Sequence, residues 1–203
     1  MSGPLMTPPF FDRARIGHNK GPALEGPSLL LTHAWKRAAA ERRKPSGLVL
    51  RMQVARAREM GLAPADYFSI RAFCGRDPEA FAFTPEGLQL TLARRLAMPE
   101  RVRDRLGRMR HVRLLCFAPP GEPPEPFCEE LSEVAGVAFA ASAPMPETVL
   151  PWSEARAAVR RLLDPGKLTG SAVLLVGRGA LAEQMYAAAN LATLLPPERL
   201  WGT

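Results

Sequence analysis

The stretch Ala172-Val173-Leu174-Leu175-Val176-Gly177-Arg178-Gly179-Ala180-Leu181-Ala182 decides the reading of the fold. Val173–Val176 is a short continuous apolar run, the pattern of a strand buried on both faces. Gly177 and Gly179 flank one arginine and make a turn, and Ala180 onward has helix-forming composition. Strand, glycine turn and helix start together form half of a parallel βα unit.

The same grammar recurs upstream. Strands are predicted over Glu79–Thr84, Val112–Phe117 and Val137–Ala141. Between them the pattern predicts a helix opened by Pro85-Glu86-Gly87 through about Leu96 and another over about Glu100–Met109. A helix with an acidic face is predicted over Phe127–Val134, and another over Glu154–Leu163, capped by Ser153. Gly179–Leu195 reads as a final helix before a short Pro196-Pro197 tail. Short apolar strands alternating with helices imply parallel pairing with right-handed crossovers. The expected class is α/β: a small three-layer domain over 78–203 with about four mostly parallel strands.

The front half differs. Residues 1–27 hold glycines, prolines and scattered charges without periodicity and read as a flexible arm. Residues 28–77 read as a basic helical segment, with helices over Ser28–Arg43, about Leu48–Met60 and about Ala65–Phe73. Gly61-Leu62-Ala63-Pro64 between the last two has the spacing of a helix-turn-helix. Ala57 would let the helices approach, Gly61 would supply the turn, and Leu62, Tyr67 and Ile70 would face inward. This stretch resembles the helix-turn-helix of DNA-binding regulators over roughly twenty residues. The resemblance implies a reader helix offering Asp66, Ser69 and Arg71 to a groove. Helical hairpins with such a turn are also common structural units, and Asp66 at the front of the reader argues against a phosphate contact there.

Charge divides the chain further along, inside the α/β domain. Residues 1–113 carry 21 Lys/Arg against 10 Asp/Glu (+11), and residues 114–203 carry 6 against 10 (−4). Eight arginines fall within residues 94–113, and Arg101, Arg105 and Arg108 share one helical face opposite Val102, Leu106 and Met109. One reading is the wet side of an amphipathic helix. The other is contact with a polyanion, nucleic acid or an acidic protein surface. The residues expected to carry that contact are Arg51, Arg58, Arg71, Arg101, Arg105 and Arg108.

A second candidate lies at the carboxyl ends of the strands, where open parallel sheets bind ligands. Gly177, Arg178 and Gly179 would present close backbone and one cation to an anion. Gly177-x-Gly179-x-x-Ala182 matches a relaxed dinucleotide fingerprint. That fingerprint needs a following strand with an acidic residue, and Glu198 falls in a proline-rich tail, so no dinucleotide cofactor is expected. Strand order and spacing are loosely similar to the haloacid-dehalogenase-like phosphotransferases. That resemblance implies an aspartate nucleophile after the first strand, whereas Phe83-Thr84-Pro85-Glu86 offers no carboxylate at that position. A relative of that family built this way would be catalytically degenerate.

Arg15-Ile16-Gly17-His18-Asn19-Lys20-Gly21-Pro22 resembles the Ile-Gly-His-Asn-x-Gly-Pro segment near the N-termini of a group of alphaproteobacterial proteins of unassigned function. It implies a bacterial source and contributes no chemistry. Cys74, Cys116 and Cys128 lack Cys-x-x-Cys spacing and only three histidines accompany them, so no zinc set is expected. No histidine follows His111 to complete a hydrolase triad, and no catalytic residue is assigned. Cys74 lies beside Arg71 and Arg76 in sequence and has no identifiable partner base. Trp35, Trp152 and Trp201 read as packing anchors. With no apolar run of membrane-spanning length and no signal-peptide core in 1–27, a cytoplasmic protein without a membrane partner is expected. Nothing in the sequence sets an oligomeric state.

Overall fold

The computed structural model describes residues 46–92 and 96–202. The octapeptide around His18, the expected Ser28–Arg43 helix, Trp35, Arg94 and Arg95 lie outside them. Residues from Met52 onward form one compact unit; Gly47–Arg51 belong to a separate one.

Helix α1 is Gly47–Glu59 and α2 is Pro64–Cys74. Gly61, at φ +71°, takes the left-handed turn between them, and Leu62 N–H donates back to Ala57 O at 2.9 Å. Ala57, Leu62, Tyr67 and Ile70 are buried as their spacing marked, and Met60 is buried with them.

The sheet holds five parallel strands: β1 (Ala80–Phe83), β4 (Arg113–Ala118), β5 (Ala141–Pro144), β6 (Val173–Val176) and β7 (Thr193–Leu195). Their order is β5-β4-β1-β6-β7, with β2 (Thr91–Leu92) and β3 (Leu96–Ala97) forming a separate antiparallel hairpin. Helices α3 (Glu100–Arg108), α4 (Pro124–Ala135), α5 (Trp152–Leu163), α6 (Gly179–Ala188) and α7 (Pro197–Trp201) complete the chain. The chain starts at the centre of the sheet, winds to one edge, then crosses back to the other side of β1. Its direction of winding reverses between β1 and β6.

Alternation along the strands divides two cores. Phe81, Phe83, Leu114, Cys116, Leu174 and Val176 face α2, α3, α4 and α7. Ala80, Ala82, Leu115, Phe117, Val173 and Leu175 face α5 and α6. The alanines of β1 leave room on that second face for Val159, Leu162, Ala182 and Met185. Helix, sheet and helix make three layers, as the sequence implied. Among the described residues no helix is long and apolar enough to cross a membrane.

Four local expectations are corrected. The chain over 85–96 is not a helix. Gly87 packs against the Val176 carbonyl, Gln89 adopts φ +54°, and β2–β3 follow. The third strand begins at Ala141: Phe139 N–H is held by Ser132 Oγ of α4 (3.1 Å), and Ala140 N–H then reaches Leu114 O of β4 (2.7 Å), where the pairing starts. Gly179–Leu195 is not one helix: α6 ends at Ala188, Asn190 turns at φ +51°, and β7 adds a fifth strand beside β6. Ser153 is not a cap, since α5 starts two residues earlier than expected, at Trp152, with Pro151 at the cap position and no side-chain cap bond.

Candidate functional site: an arginine-lined cavity at the hairpin turn

Two places were singled out by the sequence, and the structure builds them differently. At the strand ends, the turn after β1 lies against the turn after β6. Thr84 is fully buried, its N–H donates to Val176 O at 3.0 Å, and its Oγ1 accepts Gly87 N–H at 3.0 Å. A Cβ on Gly177 would meet Thr84 Oγ1 and Cγ2 at 2.8 Å, so this glycine serves close approach of the two turns. Trp201 closes the place from above: its ring stacks on Phe83 (centroids 5.8 Å, 20°) and its Nε1–H donates to Gly87 O at 2.6 Å. Arg178 is ion-paired with Glu198 of α7. Gly179, at φ +85°, opens α6, whose N-terminus has no side-chain cap. Thr84, Gly87, Gly177 and Trp201 therefore fill the crevice between the two turns, Arg178 already has Glu198 as counter-charge, and Gly179 and Ala180 at the start of α6 are exposed.

The second place is open. A cavity of about 420 Å³ is lined by Arg58, Gly61, Leu62, Ala63, Arg105, Arg108 and Arg199. Three helix ends meet there. Arg58 stands in the last turn of α1, Arg105 and Arg108 in the last turn of α3, and Ala63 precedes α2. Basic residues in a last turn are favoured by the helix dipole, typically by 0.3–1 kcal/mol each when exposed. That local preference explains each arginine singly. It does not explain why tertiary folding aims four of them at one cavity, where they repel one another. The first N–H groups of α2, which Pro64 opens without a side-chain cap from Ala63, add positive potential, while the carbonyl ends of α1 and α3 add negative potential that the arginines offset.

Counter-charge in the cavity is sparse. Asp66 pairs with Arg199. None of the six ion pairs among the described residues involves Arg58, Arg105 or Arg108. Arg105 donates to Leu200 O, which ties α3 to the end of α7, while Arg58 and Arg108 are exposed.

Of the six arginines named from sequence, three thus come together: Arg58, Arg105 and Arg108. Arg101 is spent on Gln89 Oε1 (2.9 Å) and Gly202 O (3.5 Å). Arg71 donates to Tyr67 OH at 3.4 Å. Arg51 lies in the other unit, exposed, with Nε on Gly47 O at 3.3 Å. Arg199 was missed because the sequence reading placed it in a short proline-rich tail. The signal that could have found it was Pro196-Pro197-Glu198, a proline helix start with an acid in the first turn.

A network behind the cavity holds the hairpin to the sheet. Tyr67 OH donates to Asp77, Arg56 Nε donates to Asp77 Oδ2 at 3.2 Å, and Arg56 Nη2 donates to His111 O at 3.0 Å. Burial, then the hydrogen bond to Asp77, pushes the Tyr67 phenol above its ordinary value. Burial, then Cys128 beside it, pushes the Cys116 thiol far up, so Cys116 is an unreactive core residue at neutral pH. Cys74 Sγ–H donates to Ile70 O at 2.9 Å and packs at the hairpin's edge. Trp201 is a packing anchor, whereas Trp152 is 53% exposed. Among the described residues no three His, Cys, Asp or Glu side chains converge as a metal site requires. Comparison with family models, with curated proteins and with solved structures finds no match for this chain.

Proposed function

We propose that this protein binds nucleic acid through the arginine-lined cavity, in a non-catalytic, regulatory or adaptor role. The observation that carries the reading is the convergence of Arg58, Arg105, Arg108 and Arg199 on one open cavity at a hairpin turn. Guanidinium groups match phosphate oxygens bidentately, and three of these four have no carboxylate partner among the described residues. The overall charge of +7 supports attraction of a polyanion. Three free cysteines support a reducing, cytoplasmic setting.

An electrophoretic mobility assay with duplex DNA and RNA across salt concentrations tests the reading. Retardation at low salt that fades steeply as salt rises is the expected result. Absence of any shift at low salt sinks it, and capture of an acidic protein instead would assign the cavity to that partner. The rival reading, a small anion at Gly177–Gly179, requires Arg178 to leave Glu198. A thermal-shift panel of nucleotides and phosphorylated metabolites gives that site its chance.

A further inference from the structure

Resting on that reading, we infer that the site holds the sugar–phosphate backbone of a duplex and does not read its bases. In a helix-turn-helix that reads sequence, the N-terminal residues of the second helix reach base edges. Here the only acidic side chain in the first turn of α2, Asp66, is bound by Arg199 of α7, so another helix already stands at that end of the reader. A carboxylate there also disfavours entry between two phosphate backbones.

The remainder of α2 carries little that discriminates bases. Its exposed positions are Ala65, Ser69, Arg71, Ala72 and Phe73, with no Asn, Gln or Lys among them. Bidentate readout of adenine needs Asn or Gln. Arg71, the residue suited to guanine, is turned back onto Tyr67 OH.

The unpaired cations come instead from the ends of two other helices. Arg58 leaves α1, and Arg105 and Arg108 leave α3, so their guanidinium groups surround a hollow rather than project as a row from one helix. That arrangement suits phosphate oxygens presented from several directions. No aromatic side chain lines the cavity, which removes the stacking platform that single-strand binders use. Phe73 is exposed, but ten residues along α2 from Ala63, about 15 Å by helix rise.

Fluorescence anisotropy with the full chain decides the matter. The probes are two labelled duplexes of about 20 bp, one A·T-rich and one G·C-rich, and a thymidine single strand of similar length, titrated between roughly 25 and 200 mM NaCl. The two duplexes should bind within about threefold of each other and more tightly than the single strand. Three phosphate contacts predict a log–log salt slope of about −2.7, and Arg58→Ala/Arg108→Ala should reduce it by about 1.8. Arg161→Ala, on an exposed position of α5, is the control and should change nothing. Should the double variant fail to fold by circular dichroism, Arg58→Gln and Arg108→Gln singly should each reduce the slope by about 0.9.

A hundredfold preference for one duplex, erased by Ser69→Ala or Arg71→Ala, would overturn the inference while leaving nucleic-acid binding intact. So would tighter binding to the single strand, or a slope unchanged in the arginine variants. No binding to any probe at the lowest salt would instead remove the reading on which the inference rests.

Discussion

Gly87 and Gly177 meet other groups where two turns touch, and their tolerance of a side chain differs with what they meet. A Cβ on Gly87 would run into the Val176 backbone carbonyl, which cannot swing aside. Gly87→Ala should therefore cost about 3 kcal/mol, at the upper end of overpacking effects. Gly177→Ala meets the Thr84 side chain at 2.8 Å and should cost somewhat less, about 1–3 kcal/mol. Gly107, inside α3 with nothing within 4 Å of its Cβ direction, should gain about 0.5–1 kcal/mol on conversion to Ala. Urea denaturation midpoints give the order, and a Gly87→Ala protein as stable as Gly107→Ala would refute the packing described. Tyr67 adds a pH dependence with a definite sign. Its phenol is raised in the folded state by burial and by Asp77, while the unfolded chain ionises near the ordinary value of 10.0. The folded state therefore holds the proton longer, and its contribution is complete below that value and is lost as pH rises through the folded one. Tyr67→Phe should lower stability at neutral pH by about 1 kcal/mol and flatten the alkaline fall. Parallel alkaline limbs for the two proteins would count against it.

At the scale of elements, α7 does more than its five residues suggest. Its Trp201 stacks on Phe83 and binds Gly87 O, its Leu200 carbonyl accepts from Arg105, its Arg199 holds Asp66, and its Glu198 holds Arg178. A helix this short is not stable alone and is held by these contacts. Trp201→Ala removes the largest of them and should cost about 3–5 kcal/mol, read as a lowered melting temperature. The same variant should weaken duplex binding, because Arg199 loses its anchorage at the cavity. Unchanged binding with lowered stability would mean that α7 supports the fold but not the site. The basic face of α3 divides its labour in a comparable way. Arg101 and Arg105 reach the carbonyls at the end of α7, while Arg105 and Arg108 both line the cavity. A charge run that the sequence offered as either solvated surface or phosphate contact thus also contains structural clamps.

For the whole molecule, binding and stability are linked by mass action. A ligand that binds only the folded state adds about 2.7 kcal/mol at one hundred times its dissociation constant. Duplex DNA in that excess should raise the melting temperature at low salt, and the rise should vanish as salt screens the contact. A rise that survives high salt would point to a dry, non-electrostatic interface instead.

The sequence by itself determined the strand–glycine–helix unit over 172–182, the parallel α/β class, the helical hairpin about Gly61 and the amphipathic α3. Each is encoded in residues a few positions apart, where apolar period and turn chemistry act. Tertiary structure alone decided the rest. Thr193–Leu195 is three residues long and partly exposed, too short to carry a period, and became a strand because β6 offered a free edge. Leu88, Leu92 and Leu96 have helical spacing, but Gly87 is pinned by Val176, and the chain turns into a hairpin. The cavity joins Arg58 and Arg108 to Arg199, and the ion pair beside it spans 133 residues of chain. Local propensity places a charge on a helix end, whereas only the packing of those ends against one sheet brings four such charges to one place.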